Sequence, residues 1–238
     1  MNKNEIQRVC EHSKNANYAG GVMQKTTSYC GEIFRRHMVN GSVLELGPAE
    51  GISTAVLYPY FKDYTVVDGA DFFVEALKNK YPEMKGYASL FEDFKPTRAY
   101  DNIVLGHVLE HVENPVDILK LCKKWVDNGN PNRILAAVPN AKSIHRQAAV
   151  VMGMLKSEYQ LNETDIKNGH RRVYDLEKLK KDFVSAGLKI IASGGYWLKP
   201  LSNGQINEYW DEAMIDSFLK LGEKYPEIAG EIYVVAEG

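Results

Sequence analysis

The segment Val43-Leu44-Glu45-Leu46-Gly47-Pro48-Ala49-Glu50-Gly51 constrains this chain more than any other. A short apolar run breaks into a turn with two glycines, and a helix-compatible segment, Ile52-Ser53-Thr54-Ala55-Val56-Leu57, follows. A buried parallel strand passes in this way into a helix whose N-terminus receives a ligand. Gly47 turns without a Cβ clash, and Gly51 is expected to let a ligand approach the backbone at the helix start. The turn is not the dinucleotide pattern G-x-G-x-x-G, because Ala49 fills the middle position and the spacing is shorter. A second strand, Tyr64-Thr65-Val66-Val67, ends at Asp68, about one βα unit further on, where a carboxylate meets ribose hydroxyls. The competing role for Asp68 is to cap the helix that starts near Phe72.

The rest of the chain extends the same alternation. Residues Asn4 to Met38 read as helical with a break at Ala19-Gly20-Gly21, an N-terminal cap over residues 1–40. From Gly41 to Val138 strands at Val43–Leu46, Thr65–Val67, Gly86–Ala88, Asn102–Leu105 and Arg133–Val138 alternate with helices at Ser53–Tyr58, Phe72–Lys80 and Pro115–Val126. Repeated βα units imply a parallel sheet covered on both faces, with ligands outside the carboxyl ends of the strands. Residues 141–172 are too long for an ordinary connection and read as a lid; residues 194–226 form a second substrate-side insertion. Between them lie a helix, Leu176–Ala186, and a strand, Leu188–Ala192; Glu231–Ala236 is the last strand. One α/β domain over 1–238 is expected, since 238 residues with 45% hydrophobic content bury a full core.

Charge and cysteines exclude several classes. A formal charge of −2 gives no polyanion-binding surface, so nucleic acid is not an expected partner. Cys10, Cys30 and Cys122 are scattered and odd in number, which suits a reducing compartment and neither a zinc site nor a disulfide framework. No apolar run is long enough to span a bilayer, and the start Met1-Asn2-Lys3-Asn4-Glu5 is polar, so a cytoplasmic protein without a membrane partner is expected.

The pattern Glu-x-Gly-x-Ala-x-Gly at 45–51 resembles the first motif of class I S-adenosylmethionine-dependent methyltransferases. Tyr100-Asp101-Asn102-Ile103-Val104 is similar to that family's entry into its fourth strand. His107-Val108-Leu109-Glu110-His111-Val112-Glu113-Asn114-Pro115 resembles a stretch of the branch that contains the ubiquinone-biosynthesis O-methyltransferases. The resemblance covers about Gly41 to Leu188 and implies a Rossmann-like seven-stranded sheet with its last strand antiparallel. It implies S-adenosylmethionine as cofactor, held by Glu45, Gly47, Gly51, Asp68, Ser89, Leu90, Gly106 and His107. The ribose belongs at Asp68, the adenine at Ala88-Ser89-Leu90, and the methionine end near Gly47 and Leu105-Gly106-His107.

His107, Glu110, His111 and the later His170 are the candidate catalytic residues, because methyl transfer to a hydroxyl needs an in-line approach and a base. Imidazoles titrate near neutrality and suit that work. Some relatives in the branch carry a Glu-x-x-Glu-His metal site completed by a later histidine, which makes Glu110, His111 and His170 weak metal candidates here. Position 107 is histidine instead of glutamate; if this stretch were helical, His107 and His111 would share a face. His145, Arg146, Arg171, Arg172 and Lys199 are the expected anchors of an anionic, phosphorylated or sugar-like acceptor, with Tyr159 and Trp197 as its aromatic walls. The expected function is O-methylation of a small molecule; the alternatives are N-methylation of an amine or amino sugar, an NAD-binding oxidoreductase, and a non-catalytic binding module. The run Ala148-Ala149-Val150-Val151-Met152-Gly153-Met154 leaves a homodimer arm open as the role of the first insertion.

Overall fold

The computed structural model describes residues 3–14, 20–126 and 129–238. Met1 and Asn2 of the polar start and Ala19 of the expected helix break lie outside the described residues. Seven strands, β1 (Val43–Leu46), β2 (Tyr64–Asp68), β3 (Lys85–Ala88), β4 (Asn102–Gly106), β5 (Arg133–Pro139), β6 (Lys189–Tyr196) and β7 (Glu231–Glu237), form one sheet in the order β3-β2-β1-β4-β5-β7-β6. All neighbours pair in parallel except β7, which runs antiparallel between β5 and β6. The expected seven-stranded sheet with an antiparallel last strand is therefore present. β1 and β2 are buried at every residue, which explains their unbroken apolar runs: a strand covered on both faces has no solvent side to mark with polar residues.

Helices cover both faces. α1 (Lys3–Lys14), α2 (Gly21–His37), α3 (Ile52–Leu57) and α4 (Asp71–Lys80) precede β3; α5 (Pro115–Trp125) joins β4 to β5. α6 (Ile144–Val151), α7 (Glu163–Lys167) and α8 (Leu176–Ser185) follow β5, and α9 (Asn203–Tyr209) and α10 (Glu212–Gly222) lie between β6 and β7. One core packs Leu119 of α5 and Phe183 of α8 against Leu105 and Val234. The other packs Phe34 of α2 and Leu219 of α10 against Val104 and Val235. Each such fully buried side chain contributes about 1.5–3 kcal/mol.

Three local expectations change. β6 extends to Tyr196, so Gly194 to Tyr196 belong to the sheet, and α10 packs on α2 and β6. No residue of 194–226 lines the main cavity, so this insertion is a structural layer and not a substrate-side wall. The stretch His107–Asn114 is an irregular turn and not a helix, so His107 and His111 do not share a helical face. In the arm expected between 148 and 154, Val151, Met152 and Met154 are exposed. No described helix is long and apolar enough to cross a membrane.

Candidate active site

A cavity of about 460 Å³ opens at the carboxyl ends of β1 and β4, a size within the roughly 300–1,000 Å³ of ligand pockets. Here β2 and β4 diverge from β1, the switch point where an open α/β sheet leaves a crevice. Gly47 and Asp68 form its first corner. Gly47 has φ +66, and a Cβ there would stand 2.9 Å from Val108 Cγ2, so the turn keeps its bare backbone against the cavity. Asp68, at the end of β2, accepts N–H bonds from Ala70 (2.9 Å) and Ala49 (3.2 Å). Burial outweighs these donors and pushes the Asp68 carboxyl up to about 6. Ser89 and Leu90 line the same corner, with the side chains of Phe73 and Phe91 beside them.

Two expected cofactor residues do other work. Glu45 is 3% exposed. Its carboxylate accepts hydroxyl bonds from Ser53 (2.6 Å), Thr54 (2.7 Å) and Tyr64 (2.8 Å), binding β1 to α3 and β2. It does not line the cavity, so its oxygens are committed to the fold. Gly51 has φ +75, and its missing Cβ faces Leu77, so it is glycine for the turn and for packing and not for ligand approach.

The second corner lies where β4, β5 and β7 end or begin. Gly106 and His107 close β4 here. His107 adopts φ +57, an unusual left-handed conformation for a non-glycine residue, and its N–H donates to Ala137 O at 2.8 Å. Its Nδ1 stands 3.6 Å from Glu110 Oε1 and 3.7 Å from Glu231 Oε2. Burial alone would lower the His107 imidazole, but Glu231, Cys30 and Glu110 outweigh it and hold His107 well above its usual value. Glu110, 1% exposed, is raised by burial and more than compensated by His107, His111 and His170, for a net lowering. Glu231 goes the other way, because burial dominates.

His111 and His170 meet edge to face, with ring centroids 4.8 Å apart, although 59 positions separate them. Burial takes the His111 imidazole down to about 4, so it is neutral at physiological pH. His170 Nδ1 lies 3.1 Å from Asp165 Oδ1, which fixes the ring and leaves Nε2 for the cavity. Asp165 also accepts from Arg146 Nη1 (3.0 Å) and the Asn162 N–H (2.9 Å). Burial raises the Asp165 carboxyl, but these donors together hold it at about 2. Glu110, His111 and His170 each offer one ligand atom within 4.8 Å of the others. One carboxylate and two imidazoles suit zinc or manganese more than magnesium, and the Asp165–His170 bond has the form of a carboxylate orienting a ligating imidazole. His107 is not part of this set.

The expected anion clamp is not assembled. Arg146 is 5% exposed and spends its guanidinium on Asp165 and on the carbonyls of Glu158 and Gln160. Arg171 pairs with Glu5 of α1 (2.9 Å) and donates to His111 O (3.0 Å). Arg172 donates to the carbonyls of Leu109, Val112 and Glu113. These two arginines brace the turn that carries Glu110 and His111, and neither lines the cavity. Tyr159 is bonded to Asp175 with Lys178 over its ring, and Trp197 is 1% exposed in the second core. His145 and Lys199 also lie outside the lining, where burial lowers them to about 3 and about 8.

α1, the first helix of the expected N-terminal cap, lines the cavity with Arg8, Val9 and His12, and Arg8 fastens it through His111 O (3.2 Å). The sequence reading missed other contributors. Phe73 and Phe91 were hidden among ordinary apolar positions. Glu231 carried one signal, a charged first residue on an apolar strand. Only the antiparallel pairing, which sets Glu231 beside Pro139, brings that residue to the carboxyl edge.

The profile of a family described as methyltransferase domain matches residues 17–193. No curated protein matches the sequence. The fold is similar to a possible histamine N-methyltransferase from Thermotoga maritima (TM-score 0.63, 11% identity, 98% of this chain and 94% of that one). It is also similar to the N-methyltransferase NodS from Bradyrhizobium japonicum in complex with S-adenosyl-L-homocysteine (TM-score 0.57, 13% identity, 98% and 95% covered). A third likeness is to a putative methyltransferase of Haloferax volcanii in complex with the Trm112 activator (TM-score 0.63, 14% identity, 98% and 96% covered). With the switch-point cavity, the glycine turn and the 3-2-1-4-5-7-6 sheet in place, the chain belongs to the methyltransferase-domain family and has the class I S-adenosylmethionine-dependent methyltransferase fold.

Proposed function

We propose that this protein transfers a methyl group from S-adenosylmethionine to a proton-bearing oxygen or nitrogen of a small molecule. The observation that carries this reading is the layout of the crevice at the carboxyl ends of β1 and β4. A bare glycine turn and a ribose-type carboxylate, Asp68, stand at one corner, and His107, Glu110 and His170 stand at the other. S-Adenosylmethionine supplies a methyl group on a sulfonium, which a nucleophile can displace. Gly47 leaves room for its methionine end, Asp68 accepts its ribose hydroxyls, and Ser89, Leu90 and Phe91 flank its adenine.

At the other corner Glu110 is placed to take a proton from the acceptor, the cationic His107 ring faces both Glu110 and Glu231, and Asp165 holds His170 in one ring orientation. α1 and the turn 107–114, joined by Arg8 and Arg171, exclude water from the reacting atoms. The expected phosphate-like acceptor has no support, since Arg146, Arg171 and Arg172 are engaged by the protein itself. Calorimetry with S-adenosylhomocysteine and with NAD tests the cofactor, and an assay of S-adenosylhomocysteine release over a library of small alcohols and amines tests the transfer. Binding of NAD without S-adenosylhomocysteine would overturn the reading. Glu110→Gln should lower turnover by about a hundredfold while the S-adenosylhomocysteine affinity stays near wild type.

A further inference from the structure

Among the described residues, seven buried side-chain nitrogen and oxygen atoms have no hydrogen-bond partner, on His107, Glu110, Ser143, His145, Tyr196 and Glu231. All six residues belong to segments at the carboxyl edge of β4, β5 and β6. Native proteins leave few buried polar groups unpaired, so their concentration in one corner marks a place where a ligand completes the bonding. Three of the six, His107, Glu110 and Glu231, line the cavity. Both oxygens of Glu110 are bare although the residue is only 1% exposed, and Oε2 of Glu231 is bare as well. The imidazole that faces them stands 3.6 and 3.7 Å away, longer than a hydrogen bond, and one ring cannot satisfy two carboxylates.

The charge of the cavity has the same sense. Eight carboxylate residues line it against one arginine, Arg8, which is spent on Glu5 and on backbone carbonyls, and the cationic His107 ring, while Lys199 acts on Glu231 from outside the lining. Part of this negative surface suits a cationic cofactor at the Asp68 corner. Glu231, however, is on the fourth strand counted from β2, roughly 19 Å away at ordinary strand spacing, and so belongs to the acceptor half. A buried carboxylate without a donor is costly, and the group that relieves two of them at once is a multiply donating cation.

We propose that the methyl acceptor is a small amine that enters as an ammonium and is held between Glu110 and Glu231. This rests on the methyltransferase reading above and narrows it. The nitrogen gives one proton to one of these carboxylates and recovers its lone pair. It then bonds the methyl carbon while the carbon–sulfur electrons remain on sulfur. The product leaves as a methylated ammonium, and the abstracted proton returns to solvent.

The test is calorimetry on protein saturated with S-adenosylhomocysteine, in buffer containing EDTA, with matched ammonium, hydroxyl and carboxylate probes. 2-Phenylethylamine, 2-phenylethanol and phenylacetate form one set, and propyl and indolylethyl scaffolds form two more. The ammonium member should bind at least about tenfold more tightly than its alcohol, and Glu231→Gln or Glu110→Gln should erase most of that preference. Affinity for S-adenosylhomocysteine, measured first on each variant, should remain and reports that the variant is folded. An alcohol or carboxylate that binds as well as its amine overturns the proposal and leaves the methyltransferase reading standing. So does an amine preference that survives in both variants. A preference present only without EDTA assigns Glu110 to a metal ion and overturns it too. Wild-type protein that does not bind S-adenosylhomocysteine overturns the underlying reading itself.

Discussion

Asp68 offers a quantitative handle on the cofactor corner. Its carboxyl is pushed from the ordinary 3.8 to about 6 because burial at the end of β2 outweighs the N–H groups of Ala70 and Ala49, with Glu45 adding repulsion. A raised folded-state value means that the protonated form is favoured by folding. This contribution to stability is fully present below the unfolded value and is lost as pH rises through about 6. At neutral pH the ionised carboxylate therefore costs the empty protein about 3 kcal/mol, a gap of roughly two pK units. On the proposed placement, ribose hydroxyls would donate to the ionised form and offset that cost, so binding and protonation would oppose each other. Wild-type affinity for S-adenosylhomocysteine should be nearly constant above pH 7 and fall about tenfold by pH 5, one unit below the folded-state value. Asp68→Asn should bind more weakly already at neutral pH, by about 2–3 kcal/mol for its lost charged hydrogen bonds, and its affinity should lose this pH dependence. Calorimetry of both proteins between pH 5 and 7.5 checks the difference and cancels the contribution of the histidines. Parallel curves, or a flat wild-type curve, would refute the placement of the ribose.

Glu45→Ala should strand the hydroxyls of Ser53, Thr54 and Tyr64 and cost about 3 kcal/mol, which for a chain of this size lowers the thermal midpoint by about 6–12 °C. Titration of the folded variant with S-adenosylhomocysteine should nevertheless give affinity close to wild type; a large loss would return Glu45 to the cofactor site. Asp165→Asn should free the His170 ring and lower kcat by about tenfold or more with little change in KM for the cofactor, as steady-state kinetics would show. Chelation should leave turnover intact if Glu110 acts as a proton acceptor alone; loss on EDTA treatment, restored by zinc or manganese, would instead establish the site of Glu110, His111 and His170 as a metal site.

The sheet, its covering helices and the Gly47–Asp68 corner of the cavity were legible along the chain because each rests on local rules. Apolar runs of strand length, helical periods between them, and a turn with glycines at Gly47 and Gly51 are short-range patterns. The spacing from Gly47 to Asp68 then follows from the length of one βα unit, and both residues do meet at the switch point. Legibility ended where a side chain's partner is distant in sequence. Arg146, Arg171 and Arg172 look like an anion site in a linear reading, yet backbone carbonyls and two acidic residues, Asp165 and Glu5, claim them, and no pattern of residue types announces a carbonyl partner. Glu45 stands in the expected motif, but the pleat of β1 aims it at three hydroxyls. The meeting of His170 with His111 was expected only from the family resemblance and not from any local pattern, and tertiary structure alone decided that Glu231 would stand by His107, because strand order and the reversed direction of β7 set that neighbour. Local periodicity determines which elements form and where a bare turn lies, whereas the register between distant elements determines which charges face one another across the cavity.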